Sequence, residues 1–213
     1  VYARFLKNGA ERLPVSPFAA FSCASSADHI ASHFKLMGPK TTFMTACSSG
    51  ATAIGHALDL IRQGEATVMI CGGTEPLCRI TYAAFNALQA VDPEHCKPFD
   101  RDRRGLSLGE GAGVLILESL AHARRRKAKI YAEVLGCGIS CDANHMTAPD
   151  PTAAGAVSAM RAALADAGIS PAQVDYINAH GTATPANDRM EIQGINAVFG
   201  RRAGHIPVTS TKS

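Results

Sequence analysis

The sequence is poor in charge and contains no long apolar run. Charged residues make up 18% of the 213 residues, below the roughly 25% that is typical of globular proteins. The net charge of +3 is too small to indicate a nucleic-acid-binding surface. The longest apolar stretches, such as Val114 to Leu117, are far shorter than the roughly 18 residues that a membrane span needs. We therefore expect a protein that binds no nucleic acid and does not enter a membrane.

The sequence also lacks any CxxC pair. Its seven cysteines are scattered, which argues against a zinc ribbon or a thioredoxin-type motif. No secretory signal peptide and no internal repeat are evident. We expect most of these thiols to be small buried side chains in a reducing compartment, the cytoplasm.

Small and apolar residues are abundant instead. Hydrophobic residues make up 46% of the chain, and 37 alanines and 19 glycines together account for 56 of 213 positions. This composition excludes a disordered chain, and it predicts a core of small side chains with close backbone contacts.

Strand-like and helix-like segments alternate, which predicts an α/β fold. Helices are expected at 50–63, 120–126, 152–167 and 187–199, and strands at 41–46, 67–71, 114–118, 131–136 and 174–179, with a further strand-like stretch at 206–209. The apolar run at 67–71 is typical of a strand covered on both faces, and Gly72 and Gly73 should end it. Two polar motifs then begin where a strand stops and a helix starts, which is where open α/β sheets place their sites.

The first motif, TACSSG at 45–50, centres on Cys47. A cysteine on a sharp turn before a helix exposes its sulfur, and the helix dipole and nearby N–H groups favour a thiolate and can hold an oxyanion. A buried structural cysteine is the alternative.

The second motif, HGTATP at 180–185, follows an apolar strand. A neutral histidine such as His180 can donate a hydrogen bond to a developing enolate, and Thr182 and Thr184 offer hydroxyls to an amide-bearing ligand. A histidine that only caps a turn is the alternative. Asp188 and Glu191 lie on the helix that follows, and Glu191 could orient a neighbouring cation.

The chain ends in STKS at 210–213. A lone lysine there is usually a surface charge. Lys212 is therefore a candidate site residue only because of the motifs that accompany it.

Taken together, these motifs resemble those of elongating β-ketoacyl-acyl carrier protein synthases, the condensing enzymes of fatty-acid synthesis in the thiolase superfamily. The resemblance extends over essentially the whole chain. It also includes PFDRDRRG at 98–105, LGEGAG at 108–113 and SCDANHMTAP at 140–149.

The resemblance implies a role for each motif. Cys47 would be the nucleophile that carries the acyl chain, His180 would assist decarboxylation of malonyl-carrier protein, and Lys212 would hold the electrostatics of the site, with Glu191 as its partner and Asp188 in support. The remaining positions match the family's substrate and phosphopantetheine contacts, the loop beside the site and a gating position that is often Phe: Thr182, Thr184, His145, Thr147 and Leu106.

The family fold is a five-layer α/β/α/β/α arrangement of two related halves with mixed sheets, only part of which this chain would supply. We expect residues 1–130 to belong to the N-terminal half and residues 131–213 to begin the C-terminal half. The resemblance implies a homodimer whose partner is acyl carrier protein, with malonyl and acyl thioesters as substrates. It implies no metal or other cofactor, since phosphopantetheine arrives on the carrier.

The family's second histidine lies a few residues beyond the position of Lys212. We therefore expect these 213 residues to be part of a longer protein, and the isolated 213-residue polypeptide not to decarboxylate malonyl-carrier protein efficiently. Two alternatives stay open: a ketosynthase of an aromatic or aryl-polyene polyketide pathway, and a non-catalytic partner subunit of the same fold. The basic run at 124–129 is either a carrier-protein dock or the solvated end of a helix.

Overall fold

The computed structural model describes Leu6, Lys7, Gly9 and residues 22–213. Its helices are α1 (Ser25–Phe34), α2 (Ser49–Arg62), α3 (Arg79–Ala87), α4 (Leu120–Arg125), α5 (Ala154–Ala167) and α6 (Pro185–Phe199), and its strands are β1 (Val68–Glu75), β2 (Gly111–Glu118), β3 (Ile177–Asn178) and β4 (Val208–Thr209). Short 3₁₀ turns occupy Ala46–Ser48, Pro171–Gln173 and Gly200–His205. Within these described ranges, no helix has both the length and the apolarity of a bilayer-crossing segment.

The contacts divide the chain into two compact units. The first unit comprises Val1–Thr74 and Gly113–Ala128, and the second comprises Glu75–Ala112 and Lys129–Ser213. Residues 75–112 thus associate with the C-terminal part of the chain. The expected division into family halves at residue 130 concerns homology rather than contacts, and it stays a prediction.

The core of the first unit lies along one side of α2. Ala57, Leu58 and Leu60 are buried there, and the helix begins and ends within one residue of the predicted bounds. Strands β1 and β2 pair in a two-stranded sheet. A Cβ atom on Gly72 would lie 2.0 Å from the carbonyl oxygen of Gly113, so this glycine permits the close approach of the two backbones.

Two predictions about these strands are wrong. Gly72 and Gly73 do not end β1, which continues to Glu75, because here glycine serves a close backbone contact rather than a turn. The strand predicted at 67–71 is also not covered on both faces in this structure, since Val68 is 43% exposed.

The second unit is built around α5 and α6. Gly194 of α6 lies against the side chains of Met160 and Ala156 of α5, so a small residue lets the two helices approach. Helix α5 ends at Gly168 in the left-handed conformation, with φ of 66°, and α6 begins with Pro185 at its first turn. Strands β3 and β4 are parallel, with Ile177 opposite Val208 and Asn178 opposite Thr209.

The predicted strands at 41–46 and 131–136 are absent from the described structure, and the one at 174–179 is reduced to the two residues of β3. A strand exists only with a hydrogen-bonded neighbour, and the first two segments pair with none among the described residues. Gly136 instead lies against the backbone of α5, where its Cβ would be 2.5 Å from the nitrogen of Ala167. Helices α1 and α3 were not predicted.

Candidate functional site

Cys47 lies in a tight turn immediately before α2, in the first unit. Its side chain is exposed. Ala46 has a φ of +51°, a left-handed conformation that costs a non-glycine residue roughly 1–2 kcal/mol. The hydroxyl of Ser49 stabilises this turn, because it accepts the N–H of Thr45 at 2.9 Å and donates to the carbonyl of Ala46 at 2.8 Å. A strained, hydrogen-bonded turn thus presents Cys47 at the N-terminus of a 14-residue helix, where the helix dipole favours negative charge.

His180 follows β3 in the second unit, and a carboxylate of α6 holds its backbone. One oxygen of Glu191 accepts the N–H of His180 at 2.5 Å, and the other accepts the N–H of Gly181 at 2.8 Å. Glu191 thus binds these two N–H groups, and its predicted pairing with Lys212 stays a prediction. Two free backbone donors at the end of the strand face this carboxylate and occupy it.

Lys212 reaches the same turn by another route. Its ammonium group contacts the carbonyl oxygen of His180, and its backbone N–H donates to the hydroxyl of Ser210 at 3.3 Å. That hydroxyl in turn donates to the carbonyl of Gly181 at 2.9 Å. The structure thus brings His180, Glu191 and Lys212 together, with the lysine on the carbonyl side of the turn and the glutamate on its N–H side.

This environment keeps the His180 imidazole neutral. Burial is the main cause that lowers its pKa from 6.5, and the positive charge of Lys212 lowers it further, while the carboxylates of Glu191 and Asp188 act in the opposite sense. A neutral imidazole at physiological pH can donate an N–H to an oxygen that gains negative charge.

Asp188 is the buried support of the loop between His180 and α6. It is 2% exposed, and its carboxylate accepts the N–H of Ala183 at 3.1 Å and the N–H of Phe99 at 2.7 Å. The guanidinium of Arg103 lies 3.6 Å from the same carboxylate and donates to the carbonyl of Pro185 at 3.3 Å. Asp188 therefore joins the loop to the segment at 99–103.

The other predicted residues occupy separate places. Thr182 is buried, and its hydroxyl oxygen lies 2.9 Å from that of Thr184 in the same loop. The Nδ1 atom of His145 accepts the N–H of Thr147 at 3.1 Å within an exposed loop, and the backbone of Leu106 bridges to Val91. In the structure described here, no hydrogen bond joins His145 or Leu106 to the loop at 180–184. The described residues contain no cluster of three or more His, Cys, Asp or Glu side chains that could hold a metal ion.

Sequence reasoning did not single out four residues that shape this part of the second unit: Cys96, Phe99, Arg103 and Ser210. The only signal for them was their place in or beside the motifs at 98–105 and 210–213. Their effect depends on backbone contacts across the unit, which residue type alone does not reveal.

Comparisons with known proteins indicate one family over most of the chain. A model of the β-ketoacyl synthase N-terminal domain matches residues 4–123, and a model of the C-terminal domain matches residues 131–213. The 3-oxoacyl-[acyl-carrier-protein] synthase 2 of Rhizobium meliloti (strain 1021) is 48% identical over 196 residues, covering 88% of this chain and 46% of that protein. Nodulation protein E of Rhizobium sp. (strain N33) is 45% identical over 213 residues, covering 100% of this chain and 52% of that protein.

A solved structure of a ketosynthase is also similar to this chain. A ketosynthase in complex with a type II PKS acyl-carrier protein superposes with a TM-score of 0.90 at 35% identity, covering 95% of this chain and 52% of that chain. The predicted thiolase-like α/β fold class is thereby confirmed. The chain spans about half the length of the curated relatives that it matches.

Proposed function

Because the chain belongs to the β-ketoacyl synthase family, we propose that its protein is a 3-oxoacyl-[acyl-carrier-protein] synthase, an acyltransferase that elongates fatty acids by two carbons. The observation that supports this most is the turn at His180, where Glu191 and Lys212 hold opposite sides of the backbone beside a neutral imidazole.

The first step is acyl transfer to Cys47. The Cys47 thiol loses its proton, the thiolate attacks the carbonyl of an acyl thioester, and the C–S bond to the carrier breaks. The carrier leaves as a thiolate, which takes up the equivalent of the proton that Cys47 lost. Backbone N–H groups at the start of α2, including that of Cys47, would hold the oxyanion formed in between. The exposed position of Cys47 at this helix end supports the assignment.

The second step is decarboxylation. Malonyl-carrier protein loses CO₂, and the electron pair of the broken C–C bond forms an enolate on the thioester. His180, neutral and N–H-bearing, donates a hydrogen bond to the enolate oxygen. The enolate carbon then attacks the Cys47 thioester, a C–C bond forms, and the Cys47 thiolate leaves. Burial, with a smaller contribution from the positive charge of Lys212, lowers the pKa of His180 and favours its neutral form. Thr182 and Thr184 bind the phosphopantetheine arm, which His145 and Thr147 flank. Leu106 stands at the gate to the acyl pocket.

We further propose that acyl carrier protein delivers both substrates, that the protein is a homodimer, and that it works in the cytoplasm. A carrier complex of a structurally similar ketosynthase supports the first point.

A polyketide ketosynthase is the second candidate, because a ketosynthase from a type II PKS complex is 35% identical. The 3-oxoacyl-[acyl-carrier-protein] synthases 2 are more similar, at 48% and 49% for those of Rhizobium meliloti (strain 1021) and Synechocystis sp. (strain ATCC 27184 / PCC 6803 / Kazusa). The product distinguishes the two: one two-carbon addition per cycle indicates fatty-acid elongation, and repeated addition without reduction indicates polyketide synthesis.

Acyl transfer can be tested on the protein that contains this chain. Incubation with an acyl-carrier protein should add one acyl group, detected by intact-mass spectrometry, and Cys47→Ala should abolish the addition. Cys78→Ala is the matched control, because Cys78 is also exposed and hydrogen bonds from Thr81 lower its pKa. Equal acylation of the Cys47→Ala protein would refute the assignment of the nucleophile.

Decarboxylation is measured separately, as release of labelled CO₂ from malonyl-carrier protein and formation of 3-oxoacyl-carrier protein. His180→Ala should lower both while Cys47 is still acylated, since the two steps use different residues. Undiminished CO₂ release from the His180→Ala protein would contradict the proposed role.

A further inference from the structure

Cys96 is buried in the second unit and is not used by the chemistry proposed above. It is 3% exposed, and its backbone N–H donates to the hydroxyl of Ser107 at 2.9 Å. Its Sγ atom lies 2.7 Å from the carbonyl oxygen of Lys212. A carbonyl oxygen only accepts, so the thiol proton must point at it.

Lys212 makes two other contacts among the described residues. The residue is exposed, and its described contacts are the backbone N–H on Ser210 and the ammonium group on the carbonyl of His180. A lysine side chain has four rotatable bonds, so the position of its ammonium group depends on how firmly its backbone is held. Cys96 holds the carbonyl side of that backbone, and Ser210 holds the N–H side.

We propose that Cys96 is a positioning residue for Lys212: the buried thiol fixes the lysine carbonyl so that the ammonium group stays at the backbone of His180. This inference rests on the proposed function. It deepens that function, because it assigns part of the electrostatic control of His180 to a residue that touches neither substrate nor imidazole.

The consequence concerns the protonation of His180. The charged groups that act on its imidazole are Lys212, which lowers its pKa, and Glu191 and Asp188, which raise it. If the ammonium group drifts away, the carboxylates are opposed less and protonation becomes easier. Loss of the Cys96 thiol should therefore raise the His180 pKa. The acid limb of the pH–rate profile for decarboxylation should move to higher pH.

Three variants of the full protein test this inference. Cys96→Ala removes the donor, Cys96→Ser keeps one, and Cys71→Ala is the matched control, since Cys71 is a buried thiol of the first unit that contacts the carbonyl of Leu115 instead. We expect Cys96→Ala to lower kcat for decarboxylation about fivefold, as the loss of one ordinary hydrogen bond would, with KM and Cys47 acylation unchanged. Cys96→Ser should stay within about twofold, and Cys71→Ala should leave the pH profile in place.

A structural readout separates this inference from the proposed function. The His180 imidazole can be titrated by NMR in wild type and in Cys96→Ala without any substrate. A raised His180 pKa in Cys96→Ala supports the positioning role, and an unchanged one overturns it, whether or not the protein decarboxylates malonyl-carrier protein. Absence of decarboxylation in wild type would overturn the proposed function alone.

A double variant, Cys96→Ala with Lys212→Met, distinguishes an effect through the lysine from a general structural effect of the Cys96 substitution. If Cys96 acts through the lysine, then Cys96→Ala should cause no further shift of the His180 titration in a Lys212→Met background. An equal shift in both backgrounds would overturn the inference. Cys96→Val, which also lacks a donor but fills more of the thiol's volume, gives the same comparison if the alanine variant does not fold.

Discussion

Replacing Gly181 by alanine would insert a methyl group between the two segments that enclose the His180 turn. A Cβ atom there would lie 2.5 Å from the Cβ of Ser210 and 2.9 Å from the ring of Phe99. Gly181 also has a φ of +44°, which costs alanine roughly 1–2 kcal/mol. Overpacking of this kind typically costs roughly 1–3 kcal/mol more, so we expect a total loss of about 2–5 kcal/mol.

Gly168 provides a matched control, because it shares the backbone cost but not the crowding. Its φ is +66°, and nothing lies within 4 Å of its Cβ position. Gly168→Ala should therefore lower the free energy of unfolding by about 1–2 kcal/mol. The difference between the two variants measures the close approach at Gly181.

Urea unfolding and the two half-reactions provide the measurement. Gly181→Ala should cost about 1–3 kcal/mol more than Gly168→Ala. It should also slow decarboxylation, since either His180 or Ser210 must shift, and it should leave acylation of Cys47 intact. Equal losses of stability in the two variants would refute the packing argument. Normal decarboxylation in a destabilised Gly181→Ala protein would show that the turn tolerates displacement.

Three other predictions follow from the charged groups. Asp188→Ala leaves the buried N–H groups of its partners without an acceptor, so it should lower the free energy of unfolding, measured with urea, by about 2–4 kcal/mol. The exposed Asp175→Ala should lower it by less than about 1 kcal/mol. Equal losses would contradict a supporting role for Asp188. The pKa of Glu118 is lowered from 4.5 to about 2, chiefly by its hydrogen bond with Arg126, so its contribution to stability is complete above pH 4.5 and is lost as the pH falls towards 2. Glu118→Gln should flatten that part of the stability profile, and an unchanged slope would count against the pair. Lys212→Met should raise the His180 pKa and move the acid limb of the pH–rate profile for decarboxylation to higher pH. A shift to lower pH would contradict the conclusion that Lys212 lowers this pKa.

The helices were predictable because their signals are local. Apolar spacing and a terminal glycine placed α2, α5 and α6 within about two residues of their observed bounds. Helix hydrogen bonds join residues four apart, so a short window of sequence contains most of what fixes them. Helix α3 was not predicted because its N-cap is Cys78, which is not among the residues that usually signal a helix start.

The strands were predicted less well because their partners are distant in sequence. The segments at 41–46 and 131–136 have strand-like composition, yet neither pairs with a strand in the described part of the chain. Ile177 and Asn178 form a strand only because Val208 and Thr209 lie beside them. Composition measures how well a residue suits a sheet, and it does not show whether a neighbouring strand exists.

The candidate site follows the same division between local and distant information. Sequence alone could name Cys47, His180 and Lys212 as chemistry-bearing residues, and their roles stay predictions. It could not show that Glu191 accepts two backbone N–H groups, because any carboxylate on that helix face would look the same in a sequence.

Within the loop at 180–184, the backbone–backbone hydrogen bond described is the one that the carbonyl of Thr184 accepts from the N–H of Asp188 at 3.2 Å, where α6 begins. Its geometry is therefore set from outside, by Glu191 and Asp188 on α6 and by the segment that carries Phe99 and Arg103. That segment includes no reacting atom of the proposed mechanism, yet it lies in one of the motifs on which the sequence resemblance rests. Its presence is explained if the position of His180 depends on it. A segment with no proposed chemical role can thus shape the turn that carries His180.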